Sequence, residues 1–130
     1  MTTFYQQQVL QLQNNLYPKD YLTEKIIRAK KYMDARFGDN ISLDQVSSAV
    51  SLSKFHFIRL FKKYYGITPH QYLSEVRMMQ AKKLLRLGAT VSQTCYSVGF
   101  SSLGTFTGFF KKYGGQAPFN FLRKKATLKK

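Results

Sequence analysis

Acidic residues, cysteine and long apolar runs are all scarce in this sequence of 130 residues. Only 6 Asp and Glu oppose 21 Lys and Arg, which gives a formal net charge of +15, and no acidic residue follows Glu75. The single cysteine, Cys95, excludes an internal disulfide and fits a reducing cytoplasm. No apolar run approaches the roughly 20 residues of a membrane-spanning helix. The charge imbalance predicts a polyanionic partner, either nucleic acid or an anionic membrane surface.

The groups that catalysis or metal binding would need are missing as well. The two histidines, His56 and His70, have no carboxylate pair, metal-ligand spacing or Gly-rich phosphate loop beside them. We therefore expect no catalytic site, no metal site and no cofactor. Both histidines are expected to be partly exposed helix residues. Cys95 is expected to be a buried, inert thiol rather than a redox sensor, because reactive thiols need an exposed electropositive setting.

What the sequence does contain is a series of amphipathic helical segments with clear start and stop signals. Apolar residues recur at helical spacing, and no segment shows the signals of a β-hairpin. Ser42, Thr68 and Thr90 are each followed three residues later by Gln, the pattern of a capping box. Glycines predict the helix ends, at positions 38, 66, 88 and 114–115. The fold class is therefore all-α, with about seven helices.

A further helix is predicted in the N-terminal extension, residues 1–20, which is uncharged up to position 18. Its apolar residues form one stripe at steps of four, three and four, namely Tyr5, Val9, Leu12 and Leu16. That stripe either packs on the rest of the domain or joins two chains, and the sequence leaves both open.

Two segments of the chain repeat each other. LFKKYYGITP at residues 60–69 returns as FFKKYGGQAP at residues 109–118. The match extends backwards at a step of 48, pairing Ser53 with Ser101, and continues forwards at a step of 49, so one residue was added in the second turn. Each unit has a short capped helix, a turn and a longer basic helix, which is the helix-turn-helix pattern. The units are predicted at about 42–65 and 91–113, joined by a linker helix at about 69–87.

The second helix of such a unit lies in the DNA major groove, where exposed residues near its start reach base edges. In the first unit the exposed residues are predicted to be Lys54, Phe55, Ile58 and Arg59. Arg59 is the main candidate for reading a base, because its guanidinium matches the two acceptors of guanine. The alternative is that Arg59 only neutralises a phosphate. Phe55 and Ile58 contact thymine methyl groups or simply pack.

Three stretches, RLFKKYYGITPHQYL, RMMQAKKLL and VGFSSLGTFTGFFKKYGGQAP, together resemble the DNA-binding domain of the AraC/XylS family of bacterial transcription regulators. The resemblance covers about residues 22–123. It implies a domain at 21–123, followed by a basic tail at 124–130, in which two recognition helices enter successive major-groove faces. It also implies base contacts from the second unit at Leu103, Gly104, Thr107 and Gly108.

The sequence departs from the family pattern in that second set, where polar or Arg side chains are usual. Gly104 and Gly108 cannot donate a side-chain hydrogen bond, and each costs a helix interior roughly 1 kcal/mol. The second unit is therefore predicted to be a weak or shape-based reader, unless the glycines serve close packing against a neighbouring backbone. Phosphate contacts are expected from hydroxyls at the helix starts and from paired lysines, namely Ser42, Ser53, Thr90, Ser101, Ser102, Lys62, Lys63, Lys111 and Lys112.

By this resemblance the chain is a stand-alone activator in the cytoplasm, at the bacterial nucleoid. It would bind double-stranded DNA as a monomer, with RNA polymerase as a further partner. Two alternatives remain open: a non-specific DNA-coating protein, and the DNA-binding fragment of a larger effector-responsive regulator. A membrane partner is not expected, because the basic helices need their apolar faces for a core.

Overall fold

The computed structural model describes residues 19–128 of the chain, with side chains for residues 21–123. This part is all-α, as predicted, and its seven helices are α1 (Lys19–Arg36), α2 (Leu43–Ala49), α3 (Lys54–Tyr65), α4 (Pro69–Arg86), α5 (Val91–Ser97), α6 (Leu103–Gly114) and α7 (Pro118–Leu128). The stripe predicted at residues 5–16 lies outside the described residues. None of the described helices has the length and apolar character needed to cross a bilayer.

The helices begin where the sequence predicts. Ser42, Thr68 and Thr90 each accept a hydrogen bond from the backbone N–H of the Gln three residues on, whose side-chain oxygen accepts one from the N–H of the capping residue. These capping boxes start α2, α4 and α5. Ser53 and Ser102 start α3 and α6 with a side-chain cap alone. Local chemistry therefore defines five of the starts before any tertiary contact is considered.

The helix ends agree with the sequence in part. Gly66 and Gly115 cap α3 and α6 in the left-handed region, with φ of 82° and 79°. The helix end predicted at Gly38 is confirmed, since α1 ends at Arg36, but Gly38 does not adopt the left-handed conformation. It is instead packed so closely that a Cβ there would lie 2.7 Å from the carbonyl oxygen of Ser97. The last helix, α7, continues to Leu128 and so takes in most of the segment expected to be a basic tail at 124–130.

The buried residues form two hydrophobic clusters. The first lies among α1, α2, α3 and the start of α4, where Phe57 and Phe61 are fully buried. The second lies among α4, α5 and α6, where Phe106 and Phe110 are fully buried. The ring centroids are 5.8 Å apart in the first pair and 5.9 Å in the second, both edge-on. The duplication seen in the sequence is therefore a duplication of the core.

Each unit contains a third helix that the sequence repeat does not reveal. In the first unit α1 buries Ile26, Ala29 and Met33, and in the second α4 buries Met78, Ala81 and Leu85. The spacing of three and four residues is the same in both triplets. The linker helix α4 is thus also the first helix of the second three-helix unit. It therefore joins the two units as a shared rigid element.

The position of the added residue differs from the prediction. Ser53 and Ser102 are the equivalent helix caps, 49 residues apart, so Ser101 is the inserted residue and not the partner of Ser53. The insertion lengthens the second turn, which also contains Gly99. Sequence matching could not distinguish two adjacent serines, whereas the cap hydrogen bonds do.

Candidate nucleic-acid interface

The outer face of α3 presents a set of exposed side chains opposite its buried phenylalanines. Phe55 is 75% exposed, far more than its apolar ring would be in a helix that served only the core. Arg59 is exposed one turn further on, and Ile58 is half-buried against the first cluster. Lys62 and Lys63 extend this face towards the end of the helix, where both are exposed. The face combines one apolar ring, one guanidinium and two ammonium groups.

Lys54, at the start of α3, has a partner that the sequence did not indicate. Its Nζ lies 3.8 Å from a carboxylate oxygen of Asp44 on α2. Both groups are largely exposed, and such surface pairs contribute about 0–1 kcal/mol. The pair points the ammonium towards α2 but does not prevent it from turning to another anion.

His56, the neighbour of Phe55, is half-buried between α3 and the rest of the first unit. Its backbone N–H donates to Ser53 Oγ over 3.2 Å. Burial lowers the pKa of the His56 imidazole below its usual range, and the positive charges of Arg59 and Lys25 lower it further. The imidazole is therefore biased towards its neutral form.

The outer face of α6 is built on the same frame with smaller side chains. Gly104, Thr107 and Gly108 stand where α3 has Phe55, Ile58 and Arg59, and all three are exposed. Leu103 is partly exposed at the position of Lys54. A Cβ on Gly108 would meet no heavy atom within 4 Å, and a Cβ on Gly104 would meet only Ser102 Oγ at 3.7 Å. Close packing therefore does not account for either glycine.

The outer face of α6 ends in a pair of lysines, as the outer face of α3 does. Lys111 and Lys112 occupy the positions of Lys62 and Lys63, and both are exposed. The two faces therefore share their lysine pairs and differ in the central side chains.

The hydroxyls predicted to contact phosphate lie at the starts of the helices and are all exposed. Ser42 and Thr90 accept cap hydrogen bonds over 3.2 Å and 3.0 Å, and Ser53 and Ser102 over 3.2 Å and 3.4 Å. A hydroxyl that accepts a cap bond keeps its own O–H proton as a donor. These four caps can therefore support a helix and donate to an anion together. Ser101 is exposed without a cap role.

The two units meet at an open groove of about 530 Å³ that the sequence did not reveal. Its lining comes from the loop after α1, the middle of α4, the end of α5, the turn of the second unit and the start of α6, and includes Asn40, Arg77, Tyr96, Phe100 and Thr105. Arg77 is half-buried there, and desolvation lowers the pKa of its guanidinium. The sequence contained one signal for this groove, because Arg77 stands between the apolar residues Val76 and Met78.

Cys95 and the two histidines are the other residues whose setting was predicted from the sequence. Cys95 is fully buried, and desolvation raises the pKa of its thiol, as an inert core thiol requires. His56 on α3 is half-buried and His70 on α4 is exposed, so both are at least partly exposed helix residues, as expected. Within the described residues, no three groups among His, Cys, Asp and Glu are placed to hold a metal ion.

Two helix-turn-helix units that share a long central helix define a DNA-binding domain of the double helix-turn-helix class. The family of helix-turn-helix domains matches this chain at residues 46–124, more than half of its length. The C-terminal domain of AraT, a response regulator from Geobacillus stearothermophilus, superposes with a TM-score of 0.75 and 25% identity, covering 77% of this chain and 84% of that domain.

A curated relative and a second structure agree with this match. RhaS, an HTH-type transcriptional activator of Escherichia coli, is 33% identical over 88 residues, which cover 67% of this chain and 32% of RhaS. The DNA-binding domain of AdpA, solved in complex with a target DNA, superposes with a TM-score of 0.72, 21% identity and coverage of 76% and 90%, which shows the shared fold. The chain spans about a quarter to three fifths of the length of the curated relatives that it matches. It belongs to the AraC-type helix-turn-helix family.

Proposed function

We propose that the protein is a sequence-specific transcription regulator that inserts α3 and α6 into successive major-groove segments of double-stranded DNA. The observation that carries this proposal is the pair of twelve-residue helices with equivalent caps, equivalent buried phenylalanines and outward faces that end in lysine pairs. Successive major-groove segments on one side of DNA lie about 34 Å apart. One chain supplies both helices, so a monomer is sufficient for this mode of binding.

The first unit supplies most of the base reading in this proposal. Arg59 has the geometry to donate two hydrogen bonds to guanine, and the exposed ring of Phe55 suits a thymine methyl group. Ile58 offers a smaller apolar contact, since its side chain also packs against the first cluster. Lys54 contributes when its ammonium turns from Asp44 to the DNA.

The second unit reads shape more than base identity. Thr107 and the exposed part of Leu103 are the side chains left on its face, because Gly104 and Gly108 have none. Such a surface permits close approach of the helix backbone to the DNA, and specificity then comes from the deformability of the sequence. The lysine pair and the caps of α5 and α6 hold the helix against the phosphates.

Phosphate contacts set the affinity and its dependence on salt. The proposed contacts are the hydroxyls of Ser42, Ser53, Thr90, Ser101 and Ser102 and the ammonium groups of Lys62, Lys63, Lys111 and Lys112. Each neutralised phosphate adds about −0.9 to the slope of log K against log salt. A salt series on the four single Lys→Ala variants therefore tests the lysines one at a time.

We infer further that the protein acts as an activator in the cytoplasm, at the nucleoid, with RNA polymerase as its protein partner. The relation to RhaS, an activator by name, supports this choice. If the chain is the DNA-binding part of a longer effector-responsive regulator, the same interface would serve that regulator.

The test is selection of binding sites by the purified chain from a random duplex library, followed by titration of the selected site. A regulator should bind the selected site about 10³-fold or more tightly than scrambled DNA at physiological salt. A non-specific DNA-coating protein would instead bind both with equal affinity, and that result would refute the proposal. Substitution of each base pair in the selected site then compares the two half-sites. Equal losses in both halves would contradict shape reading by the second unit.

A further inference from the structure

In the described part of the chain, the two units pack against each other at a point where both backbones lack a side chain. The loop at residues 37–39 follows α1 and lies against the turn at residues 97–100. Gly99 has a φ of 97°, and a Cβ there would lie 2.9 Å from the carbonyl oxygen of Phe37. Gly38 in turn lies against the backbone carbonyl of Ser97 in the other unit. Two glycines from different units therefore allow a backbone-to-backbone contact that any side chain would block.

Arg77, in the middle of α4, stabilises this contact through two hydrogen bonds. Its Nε donates to the carbonyl oxygen of Phe37 over 3.1 Å, and its Nη2 donates to that of Asp39 over 3.1 Å. The same guanidinium lies 5.7 Å from the centroid of the Phe100 ring, over the turn of the second unit. One side chain thus ties the loop of the first unit to the turn of the second.

The place of the contact gives it mechanical importance. The Phe37 ring packs against both hydrophobic clusters, and α4 is the other element that both units share. The first unit packs on α4 near the start of this helix, at Tyr72 and Leu73, and a second contact further along α4 restricts rotation of the two units about its axis. A recognition helix packed on α4 lies about 10 Å from the axis of α4, so a rotation of about 20° about that axis moves it by roughly 3.5 Å, about the rise of one base pair.

We propose that Arg77 is a positioning residue that holds α3 and α6 at one distance and rotation, and thereby determines the half-site spacing that the protein accepts. Its part in spacing rests on the proposed function, whereas its part in holding the units does not. Loss of the guanidinium removes both carbonyl contacts and the contact with Phe100 together. The two units then remain folded around their own clusters but rotate relative to each other.

Spin labels on the two recognition helices test the holding role without DNA. Labels are attached to K62C and K111C, equivalent positions on α3 and α6, in a C95S background, and the distance distribution is measured by pulsed electron paramagnetic resonance. We expect one narrow distribution for the parent and a clearly broader one for R77A. M79A is the matched control, because Met79 lies two residues along α4 and is 62% exposed. A distribution as narrow in R77A as in the parent would overturn the proposal.

DNA titration tests the spacing role. The selected site is compared with sites carrying one or two extra base pairs between its halves. R77A should lower the ratio of affinities for the original and lengthened sites by roughly fivefold, the low end of couplings between sites. A ratio unchanged in folded R77A would contradict the spacing role. If the parent selects no sequence at all, the proposed function fails while the distance measurement still decides the holding role.

R77K provides a second variant, so that a folding defect in R77A does not end the test. Lysine keeps the charge but cannot donate to two carbonyl oxygens in the fixed fork of a guanidinium. We expect R77K to give a distance distribution and a spacing ratio between those of the parent and R77A. A further outcome is that R77A is unfolded while folded R77K gives the same distance distribution and spacing ratio as the parent. That result would show that the charge or the packing of α4 matters and not the two hydrogen bonds to carbonyl oxygens, and it would overturn the proposal.

Discussion

Arg59 on α3 and Gly108 on α6 occupy the same position in the two repeats, since each is the sixth residue of a twelve-residue helix and lies on its exposed face. Arg59→Ala should weaken binding to the selected site by about 10- to 100-fold and remove discrimination at one base pair. The free energy of unfolding should change little, because the side chain is exposed. Titration of the selected site and its single-base variants measures both effects.

Arg28→Ala is the control for this loss of charge, because Arg28 is exposed on α1, outside the two proposed faces. It should reduce affinity far less and leave discrimination intact. If Arg59→Ala weakens binding to every sequence equally, Arg59 contacts phosphate and the assignment to a base is wrong.

Gly108→Ala should stabilise the protein by about 1 kcal/mol, because alanine lowers the cost of ordering a helix interior and its Cβ enters open space. Gly115→Ala is a matched control. Its Cβ also meets nothing within 4 Å, but its φ of 79° is unfavourable for alanine, so this variant should be less stable. Thermal unfolding followed by circular dichroism compares them. A fall in melting temperature for Gly108→Ala would contradict the prediction.

Much of this fold could be predicted because its signals are local. The caps at Ser42, Thr68 and Thr90 and the repeated phenylalanines define helices by spacings of three and four residues. The contact of Arg77 with Phe37 joins residues 40 apart, and no periodicity records such a pair. The close packing at Gly38 was missed for the same reason, because a glycine that only ends a helix and one that also admits a distant backbone look alike in sequence.

The two turns of the helix-turn-helix units differ in how they accommodate left-handed backbone. Ser51 has a φ of 57° in the first turn, whereas the second turn uses Gly99 at 97°. Ser51→Gly should therefore stabilise the protein by about 0.5–1 kcal/mol, and Gly99→Ser should destabilise it by more, because its Cβ would also strike the Phe37 carbonyl. Urea unfolding measures both. Loss of stability in Ser51→Gly would show that the serine side chain outweighs its backbone strain.

His56 should make stability depend on pH. Its pKa in the folded protein is lowered by burial and then by Arg59 and Lys25, so the unfolded chain binds a proton more readily. Stability is therefore at its full value above the unfolded pKa of about 6.5, and it falls as the pH drops from there through the lower folded pKa. Urea unfolding at about pH 7.5 and at about pH 5.5, roughly one unit above and below 6.5, should show this decline in the free energy of unfolding.

The pH dependence should depend on His56 and not on histidine in general. His56→Gln should remove most of the decline, whereas His70→Gln should keep it, because that substitution leaves the burial of His56 and its two neighbouring cations in place. Arg59→Ala should weaken the decline in part, since it removes the stronger of the two charge effects but leaves the burial. If His56→Gln retains the full decline, the acid sensitivity arises from carboxylates, and the half-buried imidazole of α3 does not contribute to it.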